Sequence, residues 1–200
     1  MELKNKIIEV ATSLFRRMGV KAVTMDDIAR EAGVSKKTIY QEFEDKSTLV
    51  YEAFSAFLER EECVLNKIFE QEDDVIQHFV QVSQFMKEQY SGMNPLILNE
   101  IRRYYPKSWK RFEEFKLGKA LNTMVDLLKR GKEAGYFRKE IDVEILAMLR
   151  LEQIAFDFRS LPSAADFSMV DLQLQIFDHF IHGILTQKGR EAYLSKLINS

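Results

Sequence analysis

This chain of 200 residues has few cysteines and a net charge close to zero. Cys63 is the only cysteine, which excludes an intramolecular disulfide and an all-cysteine metal site. Lysine and arginine number 29 against 31 aspartates and glutamates, so the formal net charge is −2 and the chain has no global basic field. Any surface that binds nucleic acid must therefore be local.

Long apolar runs are also missing. No stretch approaches the roughly 20 apolar residues that cross a bilayer, and the start MELKNKIIEV lacks the apolar run of a signal peptide. With 46% hydrophobic and 30% charged residues, the composition is typical of a globular protein with a real core. We expect a soluble protein in the reducing cytoplasm, without a membrane partner.

Proline occurs only at positions 95, 106 and 162, and apolar residues recur at spacings of three and four in nearly every long segment. This periodicity predicts an all-α fold. The first helix carries an apolar face from Leu3 to Met18 and ends at Gly19. Later helices are predicted over roughly 74–90, 95–104, 107–131, 143–158 and 169–186.

Two short helices are predicted between residues 24 and 43. Thr24 is placed to cap a helix from Met25 to Ala32, with Asp27 completing a capping box. Gly33 supplies a turn and Ser35 caps the next helix. Two short helices joined by a tight glycine turn form a helix-turn-helix. A fourth helix begins after residue 45 with no linker, which predicts a continuous helix into the rest of the chain.

The second of these short helices has one polar face. At about 100° per residue, Lys37, Tyr40 and Gln41 share a face, opposite Ile39 and Phe43. A long cation, a phenol and a carboxamide are groups that contact phosphates and base edges of DNA. The alternative remains that these are solvated side chains of an ordinary helical hairpin, since residues 1–50 hold nine basic against eight acidic residues.

The geometry suggests a role for each polar side chain. Lys37 could donate to guanine and Gln41 could make a two-point contact with adenine, each worth roughly 1–3 kcal/mol of discrimination. The side chains better placed for the DNA backbone are Lys36, Thr38, Tyr40, Thr24 and Lys46. Thr24 and Lys46 stand at helix N-termini, where free amides favour an anion.

The stretches TMDDIA and AGVSKKTIY, followed by Phe43 and Lys46, closely resemble the DNA-binding domain of the TetR (tetracycline repressor) family of bacterial transcriptional regulators. The later stretches GYFRKEIDVEI and IFDHFIHGIL are also similar to that family. The resemblance implies phosphate contacts by Thr24, Tyr40 and Lys46. It also implies groove contacts by Gln41 and by the start of the recognition helix, with the cap Ser35 beside Lys36, Lys37 and Thr38.

One departure from the family pattern concerns charge. Glu42 stands before the phenylalanine, where family members often have an uncharged residue, and Glu44 and Asp45 follow. Three acids beside the DNA backbone would weaken binding unless Glu42 points sideways or accepts from cytosine. The resemblance divides the chain into a helix-turn-helix DNA-binding domain, 1–46, and a helical effector-binding and dimerisation domain, 47–200.

The last two predicted helices have apolar arcs wider than one core contact needs. A four-helix interface with a symmetry-related copy would use the excess, and two fixed modules would then read a palindromic operator in double-stranded DNA. The alternative is a helix pair buried within one chain. Candidate residues for the homodimer interface are Leu149, Phe158, Phe177, Phe180, Ile181 and Ile184.

The middle helices are rich in aromatic residues and methionine, most of which we expect in the core. The resemblance implies a pocket here for a small apolar or amphipathic effector. Candidate lining residues are Phe85, Tyr104, Trp109 and Phe156. His179 and His182 have a spacing that can bind metal, but no third ligand is near in sequence, so no metal or cofactor is predicted.

The function predicted from these features is a ligand-responsive DNA-binding regulator. By resemblance it is a repressor released from its operator by a small molecule. The alternatives are an all-helical enzyme using Asp178 with His179 and His182, or a dimeric scaffold without DNA binding. Because the sequence lacks a nucleophile motif, a phosphate loop and a paired Glu-x-x-His set, the chain is not predicted to be an enzyme.

Overall fold

The computed structural model describes residues 2–71, 74–154 and 168–198, and the all-α prediction is confirmed. None of the helices in these ranges is both long and apolar enough to cross a membrane. The helices are α1 Leu3–Met18, α2 Met25–Ala32, α3 Lys36–Glu42, α4 Lys46–Gln71, α5 Val75–Tyr90, α6 Ile97–Tyr104, α7 Pro106–Phe115, α8 Leu121–Glu133, α9 Val143–Ile154, α10 Met169–Ile184 and α11 Gln187–Ile198.

The described residues form two compact units. The N-terminal unit comprises residues 2–62 and 92–114, and the C-terminal unit comprises residues 63–71, 74–91, 115–154 and 168–198. The predicted continuous helix is present as α4, a single helix of 26 residues that contributes to both units. The N-terminal unit thus includes α6 and most of α7 besides the helix-turn-helix, and the domain boundary after residue 46 stays a prediction.

The N-terminal unit is built on one buried face from each of its first helices. The α1 face predicted from spacing is buried along its middle and exposed at its ends, Leu3 and Met18. Thr12 adds a polar contact, because its hydroxyl donates to the Ile8 carbonyl at 2.7 Å and so is satisfied within the helix. The fully or almost fully buried apolar residues include Ile7, Ala11, Val23, Ile28, Ala32, Ile39, Phe43, Leu49, Val50 and Ala53.

The C-terminal unit has a core in which α5, α8 and α10 meet the segment between α8 and α9. Phe137 in that segment is fully buried, and its ring stacks edge-on against Phe79 at 5.5 Å between centroids. Its backbone pairs with Leu185 in a single antiparallel bridge, next to a hydrogen bond from the Arg138 N–H to the Ile184 carbonyl at 2.9 Å. These contacts fix the approach to α9.

Two elements differ from the predicted helices. The single helix predicted over 107–131 is interrupted by a π-helical turn, Lys116–Ala120, because Gly118 adopts non-helical angles of φ −88° and ψ −114°. The helix α11, Gln187–Ile198, is not predicted, since its apolar residues do not follow one helical face. For the helix predicted over 143–158, residues 155–158 lie outside the described part of the chain.

Four residues predicted at a subunit interface are instead core residues of their own unit. Phe177, Phe180, Ile181 and Ile184 are each at most 5% exposed. The wide apolar arc of α10 is covered by α5 and α9 of the same chain, which corresponds to the alternative of an intramolecular helix pair. Leu149, in contrast, is 48% exposed, and Phe158 lies outside the described residues.

Candidate nucleic-acid interface

The helix α3 has the two faces that the sequence predicts. Ile39 is fully buried on the inner side, and Phe43, which follows the helix, is 1% exposed. Lys37, Tyr40 and Gln41 are exposed on the outer side, with Tyr40 at 47%. A short helix held by its apolar face therefore presents a cation, a phenol and a carboxamide to solvent.

The turn between α2 and α3 depends on Gly33. Its φ of 67° lies in the left-handed region, where a side chain is strained. Its N–H donates to the Arg30 carbonyl at 3.2 Å, and the Val34 N–H donates to the Ala29 carbonyl at 3.0 Å. These bonds end α2 and set the direction in which the chain enters α3.

Two hydroxyl side chains of the predicted interface serve as helix caps. The Thr24 oxygen accepts from the Asp27 N–H at 3.1 Å, while the Thr24 N–H and hydroxyl donate to Asp27 Oδ2 at 2.9 and 2.6 Å. These bonds hold the pKa of Asp27 below its usual value. Ser35 Oγ accepts from the Thr38 N–H at 3.0 Å and lies 2.8 Å from Thr38 Oγ1. Thr24 and Ser35 are exposed and Thr38 is partly exposed.

The three lysines around α3 have different partners. Lys36 Nζ forms an ion pair with Asp26 Oδ2 at 2.7 Å, and this bond raises the pKa of Lys36. Lys46 Nζ donates to the backbone carbonyls of Val20 at 2.7 Å and Val23 at 2.5 Å, and burial lowers its pKa. Lys37 is exposed, and the structure records no ion pair or hydrogen bond for its ammonium within the described ranges.

One of the three acidic residues beside α3 has a structural role as a helix cap. Asp45 Oδ1 accepts from the Thr48 N–H at 2.7 Å, so this carboxylate caps α4, and the bond lowers the pKa of Asp45. A capping carboxylate is stabilised by the N-terminal end of the helix dipole. Glu42 and Glu44 are exposed.

The predicted effector residues are not gathered in one unit. Tyr104 and Trp109 belong to the N-terminal unit, Phe85 is partly buried in the C-terminal unit, and Phe156 lies outside the described residues. Trp109 Nε1 donates to Glu113 Oε1 at 2.9 Å. Tyr104 is 47% exposed and lines an open groove of about 720 Å³ within the N-terminal unit.

The two histidines of α10 do not belong to a metal-binding group. His182 Nε2 lies 3.4 Å from Asp178 Oδ1, one turn away, and its ring contacts Tyr193 with centroids 5.9 Å apart. The residues that the structure describes contain no group of three side chains able to hold a metal ion.

The segment that folds into this helix-turn-helix matches a known family. A family model described as bacterial regulatory proteins, tetR family, matches residues 7–53, which include the caps, the Gly33 turn and the exposed face of α3. Residues 7–53 are a DNA-binding domain of the TetR family. The match ends within α4, so it covers the helix-turn-helix and not the C-terminal unit.

Relatives extend the comparison beyond the DNA-binding domain. The HTH-type transcriptional repressor KstR2 of Mycobacterium tuberculosis is 25% identical over 153 residues, 72% of this chain and 73% of that protein. The HTH-type transcriptional regulator YhgD of Bacillus subtilis is 43% identical over 58 residues, 29% and 30% of the two chains. Both proteins are described as transcriptional regulators and not as enzymes.

The fold of most of the chain is matched by solved structures. A TetR-family transcriptional regulator from Agrobacterium tumefaciens superposes with a TM-score of 0.75 at 15% identity, covering 92% of this chain and 98% of the other. At this identity the likeness concerns the fold alone.

The partners of Lys36 and Lys46 are not evident from the sequence. Asp26 lies ten positions before Lys36, and the carbonyls that Lys46 binds lie more than twenty positions before it. Backbone acceptors carry no sequence signal, so Lys46 looked like a free cation. The Asp26 pair could have been suspected, because the turn folds the start of α2 back toward α3.

Proposed function

We propose that this TetR-family regulator is a repressor that binds a palindromic operator as a homodimer and is released by a small-molecule effector. The observation that carries the proposal is the exposed Lys37, Tyr40 and Gln41 face on a helix whose opposite face is buried. The description of KstR2 as a repressor supports the direction of control. The regulator acts on double-stranded DNA, and therefore in the bacterial cytoplasm.

Base recognition is assigned to the exposed face of α3. Lys37 and Gln41 meet base edges, because neither side chain is needed for a cap, and Tyr40 donates to a phosphate. Thr24 and Ser35 contribute through the helix N-termini that they cap, and Thr38 contributes through its hydroxyl beside Ser35. Lys36 reaches a phosphate only by leaving Asp26, which makes its contribution smaller than that of Lys37.

Dimerisation is assigned to the exposed side of α9. Ile145, Met148 and Leu149 are 47–58% exposed and lie at spacings of three and four on one helix. Pairing this face with its copy would place two recognition helices on half-sites roughly 34–36 Å apart. Effector binding would change this separation through α4, which contributes to both units.

Selection of bound duplexes from a random DNA pool at two salt concentrations tests the proposal. The wild type should enrich a palindrome. Lys37→Ala should weaken binding by about 1–3 kcal/mol and relax one position if Lys37 reads a base, or reduce the salt slope by about one if it contacts a phosphate. Tyr40→Phe should weaken binding to all sequences alike.

Lys110→Ala is the matched control, because Lys110 is an exposed lysine of the same unit whose Glu114 partner is 4.0 Å away. Wild-type affinity in Lys37→Ala, or the absence of any enriched palindrome, would contradict the proposal. Binding that depends on neither sequence nor salt would favour a helical scaffold without specific DNA recognition.

A further inference from the structure

Arg150 is a buried cation in the C-terminal unit. It lies on α9 and is 3% exposed. Its Nη2 lies 3.4 Å from the Met86 sulfur, and its guanidinium carbon lies 5.3 Å from the centre of the Phe177 ring. Its Nη1 is buried and has no hydrogen-bond partner among the residues the structure describes. The guanidinium is therefore surrounded by groups that accept hydrogen bonds weakly or not at all.

This environment is unfavourable for the charge that Arg150 carries. Burial lowers the pKa of the guanidinium, against the opposing effect of Tyr90, yet an arginine side chain stays protonated in proteins. A sulfur atom and an aromatic face compensate only in part for lost water. A buried charge normally has a charged or hydrogen-bonded partner, because otherwise its desolvation is not offset.

Another cation of the same unit has such a partner. Lys116 is 6% exposed, and its Nζ pairs with Glu152 Oε1 at 2.5 Å. Glu152 is two residues beyond Arg150 on α9, and within the described part of the chain its carboxylate pairs with Lys116, while no carboxylate pairs with Arg150. Among the residues described, the lack of a carboxylate partner for Arg150 is thus a local feature and not a general property of the unit.

Two further buried polar atoms lie on α9 and α10. The Oε1 atoms of Gln153 and Gln173 are buried and have no hydrogen-bond partner within the described ranges. Gln173 Nε2 donates to the Gln153 carbonyl at 3.3 Å, which joins α10 to α9. Gln153 is one turn from Arg150, and Gln173 is one turn from Phe177. One charged donor and two buried acceptors are therefore carried by α9 and α10, which the Gln173–Gln153 bond joins.

We propose that Arg150 is the anion-binding residue of the effector site, and that the effector is an amphipathic anion. Its carboxylate or phosphate accepts from the guanidinium, and its apolar body packs against Met86 and Phe177. A hydroxyl or N–H of the same molecule donates to Gln173 Oε1. The inference rests on the proposed function in one respect, namely that the C-terminal unit holds an effector.

Calorimetric titration of the full-length protein with matched probes tests this assignment. The probes are hexanoate, decanoate, 4-phenylbutyrate and decyl phosphate, each compared with the alcohol of the same carbon skeleton. The wild type should bind an anion at least about tenfold more tightly than its alcohol, because a charge-assisted hydrogen bond is lost in the alcohol. The decanoate and decyl phosphate arms distinguish a carboxylate from a phosphate.

Three variants separate recognition of the anion from packing. Arg150→Met should abolish the preference for the anion, and Arg150→Lys should retain part of it. Lys116→Met, which removes the other buried cation of the unit, should leave the preference unchanged. Without a probe, Arg150→Met should melt at or above the wild-type temperature, because an unpaired buried charge has been replaced by an apolar side chain.

Three results would overturn the assignment. One is equal binding of anions and alcohols by the wild type, and another is the absence of binding by every anion in the series. The third is an unfolded Arg150→Met together with a stable Arg150→Lys that shows no preference for anions, which would make Arg150 structural. None of these titrations contains DNA, so failure to select an operator would refute the proposed repressor without affecting this result.

Discussion

At the scale of single residues, Lys46 shows how a lysine next to the recognition helix can be used by its own chain. Its ammonium holds two carbonyls of the loop between α1 and α2, those of Val20 and Val23. The Lys21 N–H in the same loop donates to Glu100 Oε2 at 2.9 Å. The loop that leads into Thr24 is therefore held by hydrogen bonds to both Lys46 and Glu100. The role of Lys46 in the free protein is to position the interface.

Replacement of Lys46 by methionine should lower the free energy of unfolding by about 1–3 kcal/mol, because two partly buried carbonyls lose a charged donor. Lys37→Met should change it by less than about 0.5 kcal/mol, since Lys37 is exposed. Urea denaturation of both variants gives the comparison. Equal stability of the two would contradict the structural role of Lys46.

Glu61 gives the N-terminal unit a pH-dependent stability. Burial raises the pKa of its carboxyl from 4.5 to about 7, against the opposing effects of Arg16 and Arg60. The folded protein therefore holds a proton that the unfolded chain has lost between these values, so the free energy of unfolding should fall as the pH rises from 4.5 to 7. Below pH 4.5 the Glu61 carboxyl does not reduce the free energy of unfolding, and above pH 7 the reduction is complete.

The variant Glu61→Gln should remove this contribution and gain stability relative to the wild type at pH values above the window. Glu59→Gln, an exposed neighbour on α4, is the control. Urea denaturation at the two ends of the window measures the effect. If the free energy of unfolding changed equally between the two pH values in the wild type and in Glu61→Gln, Glu61 would not be the cause of the pH dependence.

At the scale of elements, two glycines in helices differ in whether the structure has room for a side chain. A Cβ on Gly131 of α8 would lie 2.1 Å from carbons of the buried Phe137 ring, so the absence of a side chain lets Phe137 pack against α8. A Cβ on Gly183 of α10 would meet no atom within 4 Å among the described residues. Both glycines lie in helices, where alanine is the better helix former.

The substitution Gly131→Ala should destabilise the protein by about 1–3 kcal/mol, because overpacking outweighs the gain in helix propensity. Gly183→Ala should instead stabilise it by about 0.5–1 kcal/mol. Thermal unfolding of both variants at one protein concentration tests the pair. A stabilised Gly131→Ala would mean that Phe137 can move away at little cost.

Elements whose signals are local could be predicted from the sequence. The predicted caps Thr24 and Ser35 accept from backbone amides in the first turns of α2 and α3. In the structure, Ser168 accepts from the Asp171 N–H, and Asp142 Oδ1 accepts from the Ile145 N–H at 2.9 Å. A cap needs only its next three residues, so a single sequence contains the whole signal. The α3 face was predictable for the same reason, since helical geometry alone separates Lys37 from Ile39.

Features that depend on distant partners could not be predicted. The apolar arc of α10 looked wide enough for a second chain, but α5, about 90 positions earlier, covers it. Arg150 could have been noticed as a lone cation in the apolar run EILAMLRLEQI, yet nothing in the sequence indicates that it lacks a carboxylate. The partner of Arg102 was equally unpredictable, because its guanidinium carbon lies 5.3 Å from the centre of the Trp109 ring.

At the scale of the whole molecule, the proposed dimer depends on the exposed face of α9. Leu149→Glu should produce a monomer in sedimentation, because a charge cannot be buried in an apolar interface without a partner. Specific binding to the operator should be lost with the dimer. Leu117→Glu, at a residue 57% exposed in the same unit, is the control and should remain dimeric. A dimeric Leu149→Glu would place the interface elsewhere.

The single cysteine makes the native protein suitable for spectroscopy. Cys63 is exposed on α4 and is the first residue of the C-terminal unit, so a maleimide spin label would attach at one defined position without mutagenesis. A homodimer would then carry one pair of labels, and double electron–electron resonance would return a single inter-protomer distance. The shift of that distance on adding DNA or a carboxylate probe would measure directly whether α4 moves.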